Sequence, residues 1–122
     1  MIPPQKYQGL VSKKTELNSC IIKIGIEITA GGILDFTPGQ FLMYIINEKI
    51  RRAYSIASTP GGEIELFIDL RPGGPASQFF RQIQSGTTCS FLAPFGIFSF
   101  KKTSLEKVFF AGSTGIAPFR SM

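Results

Sequence analysis

From Ile22 to Ile28 every second residue is isoleucine (Ile22, Ile24, Ile26, Ile28), with Lys23, Gly25 and Glu27 between them. A period of two places one set of side chains on a single face of an extended strand. Residues 63–71 repeat the pattern. Ile64, Leu66, Ile68 and Leu70 share one face; Glu63, Glu65, Phe67, Asp69 and Arg71 share the other. These patterns, with less regular ones elsewhere, predict strands over 6–17, 19–29, 41–46, 51–58 and 63–71. A sixth strand, with a turn inside it, is predicted over 87–100. The run 41–46, "FLMYII", is continuously apolar and too short for a helix, so it reads as a buried strand. The period changes once. In "PGGPASQFFRQIQSG" (72–86), Ala76, Phe79, Phe80 and Ile83 follow helical spacing, and Gly86 is placed to close the helix as its C′ residue. Gly, Pro and Asp mark turns in 30–40 and 59–62.

Six short strands, with one helix between the fifth and sixth, predict a mainly β fold. The expected architecture is a six-stranded antiparallel Greek-key barrel, closed or nearly closed, with the helix capping an open end. Residues 101–106, "KKTSLE", read as a linker. Beyond it, "KVFFAGSTGIAPFRSM" (107–122) reads as a buried-type strand, a Gly-rich turn and the start of a helix, which is how a parallel α/β unit opens. Such an opening cannot bury its own apolar face. The chain is therefore expected to be the front part of a longer protein: a barrel domain over 1–100, the linker over 101–106, and the truncated start of a nucleotide-binding domain over 107–122. Phe109, Phe110 and Ile116 are expected to be poorly covered, which would invite self-association.

Composition narrows the chemistry. The 122 residues suffice for one domain with a core, and 43% hydrophobic with 17% charged residues fits a soluble globular protein. There is no histidine, hence no Ser-His-Asp triad and no histidine-based metal site, and no metal is expected. Catalysis would need a cofactor or another proton carrier. Cys20 and Cys89 form no Cys-x-x-Cys pair and read as small apolar residues. The net charge of +5 is spread over pairs such as Lys13-Lys14, Arg51-Arg52 and Lys101-Lys102. It admits a phosphate-bearing ligand or an acidic partner, and lends nucleic acid no support beyond charge. No run approaches the ~18 apolar residues of a membrane helix. "MIPPQKYQGL" lacks the apolar stretch of a signal peptide, so the cytoplasm is the expected location.

Three segments could hold a ligand. In "RRAYSIAS" (51–58), Arg52 and Tyr54 share a strand face, and Ser55 takes the other. Arg52 could meet a phosphate in bidentate fashion, and Tyr54 offers a flat ring for stacking; a solvated strand end with a half-buried tyrosine is the other reading. In "PGGPAS" (72–77), Gly73 and Gly74 permit positive φ and close approach. Pro75 suits a first helical position, and Ala76 and Ser77 offer free N–H groups to an anion; a plain turn into a helix is the other reading. "AGSTGIAP" (111–118) is small, flexible and hydroxyl-bearing, suited to backbone approach by a nucleotide, and weak as a signal by itself.

Taken together, "PGQF" (38–41), "RAYS", "PGGPAS", "APFGIF" and "AGSTGIAP" resemble, in order and spacing, the ferredoxin–NADP reductase family of flavoproteins. The resemblance spans essentially the whole chain. It implies an FAD-binding barrel followed by a nicotinamide-nucleotide domain, with FMN the less favoured flavin and NAD(P)H the substrate of the complete protein. It implies that Arg52 pairs with a flavin phosphate and Arg51 is a solvated neighbour. Tyr54 would pack on the isoalloxazine ring, and Ser55 would sit near its reactive nitrogen, making these two the catalytic candidates. Leu70, by its backbone, and Gly73, Gly74, Ala76 and Ser77 would cradle the pyrophosphate. Gly112, Thr114, Gly115 and Pro118 would form the first nicotinamide-side loop.

Two departures stand out. Asp69 lies near where many relatives carry a lysine, so its carboxylate is expected to point away from a diphosphate. The family's later cysteine motif and C-terminal aromatic have no counterpart, so this chain alone is not expected to turn over nicotinamide efficiently. The expected complete activity is hydride transfer from NAD(P)H to FAD, with electrons passed to an acceptor such as an acidic electron-transfer protein. Two rival readings are a flavin-holding or docking subunit that needs a second polypeptide, and, remotely, a basic barrel binding single-stranded nucleic acid.

Overall fold

The computed structural model describes residues 2–122. Six strands form one antiparallel sheet: β1 (Gln5–Glu16), β2 (Ile21–Ala30), β3 (Phe41–Ile45), β4 (Arg51–Ser55), β5 (Ile64–Asp69) and β6 (Thr88–Phe95). Their spatial order is β4-β3-β6-β1-β2-β5. The last strand inserts between β3 and β1, a Greek-key connection. The two edge strands then meet. Ile56 bridges Leu66, and Ala57 donates its N–H to the Glu65 carbonyl at 2.9 Å. Ile56 itself still donates to Gln40 O at 3.1 Å, so the chain leaving β4 crosses from β3 to β5 and nearly closes the barrel.

Register turns the isoleucine alternation into a core. Ile22 lies opposite Ile68, Ile24 opposite Leu66 and Ile26 opposite Ile64, and all six are buried. A slip by one residue would expose the whole set. Val11, Leu42, Tyr44 and Phe91 complete the interior. The Tyr44 hydroxyl has no hydrogen-bond partner among the described residues, and its burial, followed by the neighbouring Cys89 thiol, raises its pKa strongly. Register shifts at Gln8/Gly9 and Val11/Lys13 bend β1 around this core.

The helix, α1 (Pro75–Gln82), starts as expected: Gly74 is the extended N-cap and Pro75 holds the first turn. Phe80 is fully buried, and its ring meets Tyr44 at 5.0 Å and Tyr54 at 5.4 Å, fastening α1 to β3 and β4. The helix ends earlier than expected. Ile83, in extended backbone, is the C-cap, and Gly86 is not C′. Lys14 Nζ donates to the carbonyls of Arg81 (2.8 Å) and Ile83 (3.2 Å), so a side chain from β1 covers this end. Gly86, at φ +90, serves the turn into β6 instead, donating its N–H to Val11 O at 2.7 Å.

β6 stops at Phe95 and does not reach residue 100. Residues 96–112 contain no strand or helix, so the strand expected at 107–110 does not form. A buried parallel strand needs neighbours to pair with, and none lies beside it among the described residues. Val108, Phe109 and Phe110 are exposed, Phe110 by 88%. A 3-10 turn (Ser113–Ile116) and a short helix, α2 (Ala117–Ser121), follow. No helix among the described residues is long and apolar enough to cross a membrane.

Candidate functional site

β4 carries the first candidates at the barrel's seam. It pairs with β3 so that Arg52 lies opposite Tyr44, Tyr54 opposite Leu42 and Ser55 opposite Phe41. Arg51 and Arg52 are exposed, and Arg52 Nη1 donates to the Arg51 carbonyl at 2.9 Å. Neither arginine pairs with a carboxylate among the described residues. Tyr54 is half-buried, edge-on to Phe80 with the rings at 89°. Burial pushes its hydroxyl up to about 12, with the Arg52 charge pulling the other way. Tyr54 is therefore a neutral ring and a proton donor near pH 7. Ser55 is half-buried at the strand's end.

The Gly-rich turn leads into α1. Leu70 is buried, and both its backbone groups already have partners: its N–H donates to Cys20 O at 2.8 Å, and its carbonyl accepts from Arg81 Nη2 at 3.3 Å. Gly73 takes φ +72 and donates its N–H to the buried Ser77 hydroxyl at 3.1 Å. A residue with a Cβ would be strained at Gly73. The first helical donor is the Gln78 N–H, to Gly74 O at 3.1 Å. The N–H groups of Gly74, Ala76 and Ser77 thus have no helical acceptor. No atom lies within 4 Å of where a Gly74 Cβ would stand, so the approach is open.

Asp69 and Arg71 close on one another just before that turn. Arg71 donates from Nη2 to Asp69 Oδ2 at 2.6 Å and from Nε to Asp69 Oδ1 at 3.0 Å. The Arg71 side chain, then its backbone N–H, hold the Asp69 carboxyl down at about 2. The pair is locally neutral, which removes the repulsion that a bare carboxylate would present to a phosphate.

The third segment lies against the other two. Arg71 Nη2 also donates to Ser113 Oγ at 3.1 Å, and Ser113 sits at φ +54. Gly112 caps the 3-10 turn and accepts the Gly115 N–H at 3.0 Å. Thr114 and Pro118 are half-buried, and Pro118 O accepts from the Met122 N–H at 3.2 Å. Arg120 Nη1 donates to Ala57 O at 3.0 Å and to Glu65 Oε1 at 2.9 Å. The buried Ser121 hydroxyl donates to Ser58 O at 2.7 Å.

Three links therefore join the candidates: Tyr54 to α1 through Phe80, the Gly73 turn to residue 113 through Arg71, and α2 to the chain just past Ser55. No hydrogen bond joins Arg52 to residues 73–77. A cavity of about 750 Å³, lined by Lys13, Lys23, Ala57, Glu65 and Arg120 among others, contains none of the predicted site residues. Sequence reasoning missed Arg71, Arg120 and Ser121 as organisers, and it placed Phe80 on the helix's apolar face without its contact to Tyr54. Of the first three, only Arg71 left a signal, since it shares a strand face with Asp69.

A family model described as the oxidoreductase FAD-binding domain matches residues 8–100. The chain belongs to that family. Within it, this domain is 31% identical over 119 residues to the electron transfer component of toluate 1,2-dioxygenase from Pseudomonas putida, covering 95% of this chain and 35% of that protein. It is 27% identical to ferredoxin–NADP reductase B of Sorangium cellulosum, covering 100% and 52%. The domain thus spans about a third to a half of the curated relatives it matches. Among solved structures, it resembles an Amycolatopsis cytochrome P450 reductase in fold, with TM-score 0.86, 22% identity, and coverage of 99% and 38%. It also resembles a Neisseria gonorrhoeae ferredoxin–NADP reductase solved with bound FAD and NADP, with TM-score 0.68, 26% identity, and coverage of 99% and 50%. This FAD-binding domain is of the kind carried by electron-transfer reductases, on the six-stranded near-barrel with one short helix that the alternation predicts.

Proposed function

We propose that this domain binds FAD and, within a complete reductase, receives a hydride from NAD(P)H and passes electrons to an acceptor. The observation that carries the proposal is the joining of β4 to α1. The Tyr54–Phe80 contact sets a half-buried aromatic ring beside a helix whose first N–H groups are free. The residues fit the cofactor: Arg52 is exposed without an acidic partner, Gly74 is open in front, and Asp69 is neutralised by Arg71.

FAD supplies the redox chemistry when bound, taking up the hydride and releasing electrons singly or in pairs. The protein's own residues do the rest. The N–H groups of Gly74, Ala76 and Ser77, at the positive end of α1, bind phosphate oxygens. Gly73 and Leu70 shape that turn, and Arg52 adds a charge-assisted contact. Tyr54 gives one ring face for packing and stays protonated. Ser55, the residue before the Ile56–Leu66 bridge, offers a hydroxyl toward the reacting edge. Residues 112–118, with Gly112, Thr114, Gly115 and Pro118, form the approach for the nicotinamide.

FAD titration of the purified chain, read by flavin fluorescence quenching, tests this. Submicromolar binding is expected, with FMN weaker. Arg52→Ala is expected to weaken FAD by about 10- to 100-fold, the worth of one charged hydrogen bond. A well-folded chain that leaves flavin fluorescence unchanged would refute the proposal. A second reading, a flavin-holding subunit reduced only with a second polypeptide, is favoured by the exposed Phe100, Phe109 and Phe110. Flavin reduction by NADPH only after a partner is added would select it.

A further inference from the structure

We propose that Arg120 and Ser121 are positioning residues that fasten the loop 112–118 to the strand carrying Ser55, so that the loop moves as part of the barrel. This rests on the reading of Ser55 and that loop given above, and it adds how their separation is held. Arg120 Nη1 reaches Ala57 O and Ser121 Oγ reaches Ser58 O, two and three residues beyond Ser55. Those carbonyls belong to the segment that crosses from β3 to β5, so they are fixed by the barrel's closure. On the other side, a Cβ built on Gly39 would run into the carbonyl oxygen of Phe98 and come within 2.9 Å of Met122 Cε. Gly39 lies in the turn before β3, whose Phe41 pairs with Ser55. α2 is therefore seated between the two stretches that flank Ser55.

The far end of the loop has its own anchor. Arg71 holds Ser113 Oγ while gripping Asp69, and Ser113 is the only residue other than glycine with positive φ among the described residues. Loop residues 114–116 therefore hang between two guanidinium contacts, one at the end of β5 and one beside Ser55. Within this clamp, Ser121 is 1% exposed and Ala117 3%, whereas Phe110, just upstream, is open to solvent. Beyond residue 100, side-chain hydrogen bonds to the barrel thus begin at Ser113.

Glu65 is the electrostatic centre of the clamp. It faces Arg120 from α2 at 2.9 Å and Lys23 from β2 at 3.0 Å. Lys13 of β1 and Glu63, just before β5, line the same cavity. Burial pushes the Glu65 carboxyl up, and the hydrogen bonds from Arg120 and Lys23 outweigh it, leaving the pKa lowered. A carboxyl with a lowered folded pKa stabilises the folded arrangement above its ordinary value, and that contribution fades as pH falls through the folded value. The clamp should therefore hold at neutral pH and loosen as pH falls below the ordinary glutamate range.

The test is hydrogen exchange of backbone amides in the 122-residue chain, with and without FAD, referred to unstructured-peptide rates at each pH. The parent is expected to protect residues 117–122 and leave 105–111 at intrinsic rates. Arg120→Ala is expected to raise exchange at 117–122 about tenfold or more with β-strand amides unchanged. Arg120→Lys should restore part of the protection, and Ser121→Ala should give a smaller rise. Acidification below the ordinary glutamate range should reproduce the Arg120→Ala pattern while the barrel stays protected. Intrinsic exchange at 117–122 in the parent, or protection indifferent to Arg120→Ala and to pH, would overturn the proposal. Failure to bind FAD with the clamp intact would count against the flavin reading alone.

Discussion

The barrel and the C-terminal segment use the same kinds of residue with opposite results. Between Tyr7 and Ala93, apolar side chains form one continuous buried cluster. Between Ile97 and Phe110, the apolar residues Ile97, Phe98, Phe100, Leu105, Val108, Phe109 and Phe110 are all exposed. The aromatic rings there meet one another or α2: Phe98 and Phe109 lie against Phe119, at 5.8 Å and 4.5 Å, and Phe100 against Phe109 at 6.3 Å. Apolar content alone does not make a core. In the barrel each strand has two neighbours or a seam partner, so backbone groups are paired and side chains are covered from both sides. Residues 96–112 have no strand to pair with among those described, and their rings stay at the surface.

Truncating Phe80 should break the barrel side of this contrast most severely. Its ring is fully buried against Tyr44, Tyr54 and Phe79. Phe80→Ala is expected to cost about 3–5 kcal/mol in urea unfolding, and to lower FAD affinity because Tyr54 loses its support.

The joint between the regions comes next. Gly39 holds φ +108 against the Phe98 carbonyl and Met122. Gly39→Ala should destabilise by about 1–3 kcal/mol, through both backbone strain and overpacking. A melting temperature within a degree of the parent would show that residue 98 does not seat on this turn.

A pH series sharpens the contrast further. Tyr54 has a folded pKa of about 12, above the value near 10 of an exposed tyrosine. Below the lower value its contribution is fully present; it is lost as pH rises through the folded value. The urea midpoint should therefore fall from about pH 10 upward. Tyr54→Phe should flatten the decline without abolishing it, because the buried Tyr44 is shifted upward as well.

The smallest effect is expected in the exposed segment. Phe110→Ala should change unfolding free energy by no more than about 0.5 kcal/mol, while reducing any self-association seen by sedimentation. A loss of 2 kcal/mol there would mean that the ring is covered in solution.

Much of this was readable from residue order. Ile22, Ile24 and Ile26 announced a buried face by their spacing, as did Ile64, Leu66 and Ile68. A period of two has one physical meaning in a strand, and both segments carry it without interruption. The Gly-Gly-Pro start of α1 was equally legible, because positive φ and a missing N–H are properties of single residues. The candidate positions on β4, in the turn before α1 and in residues 112–118 were marked by local chemistry and order, and the family match covers the first two of these segments. What local pattern could not supply was anything decided by distant chain. The end of α1 depended on Lys14 arriving from β1, so Gly86 was left free for another turn. The strand expected at 107–110 depended on a neighbour that its own sequence does not contain. Arg71 meets Ser113 across 42 residues, and Ser121 meets Ser58 across 63. Contacts at such separations exist only once barrel closure has brought those backbones together; their side chains carry no period and no motif by which sequence could announce them.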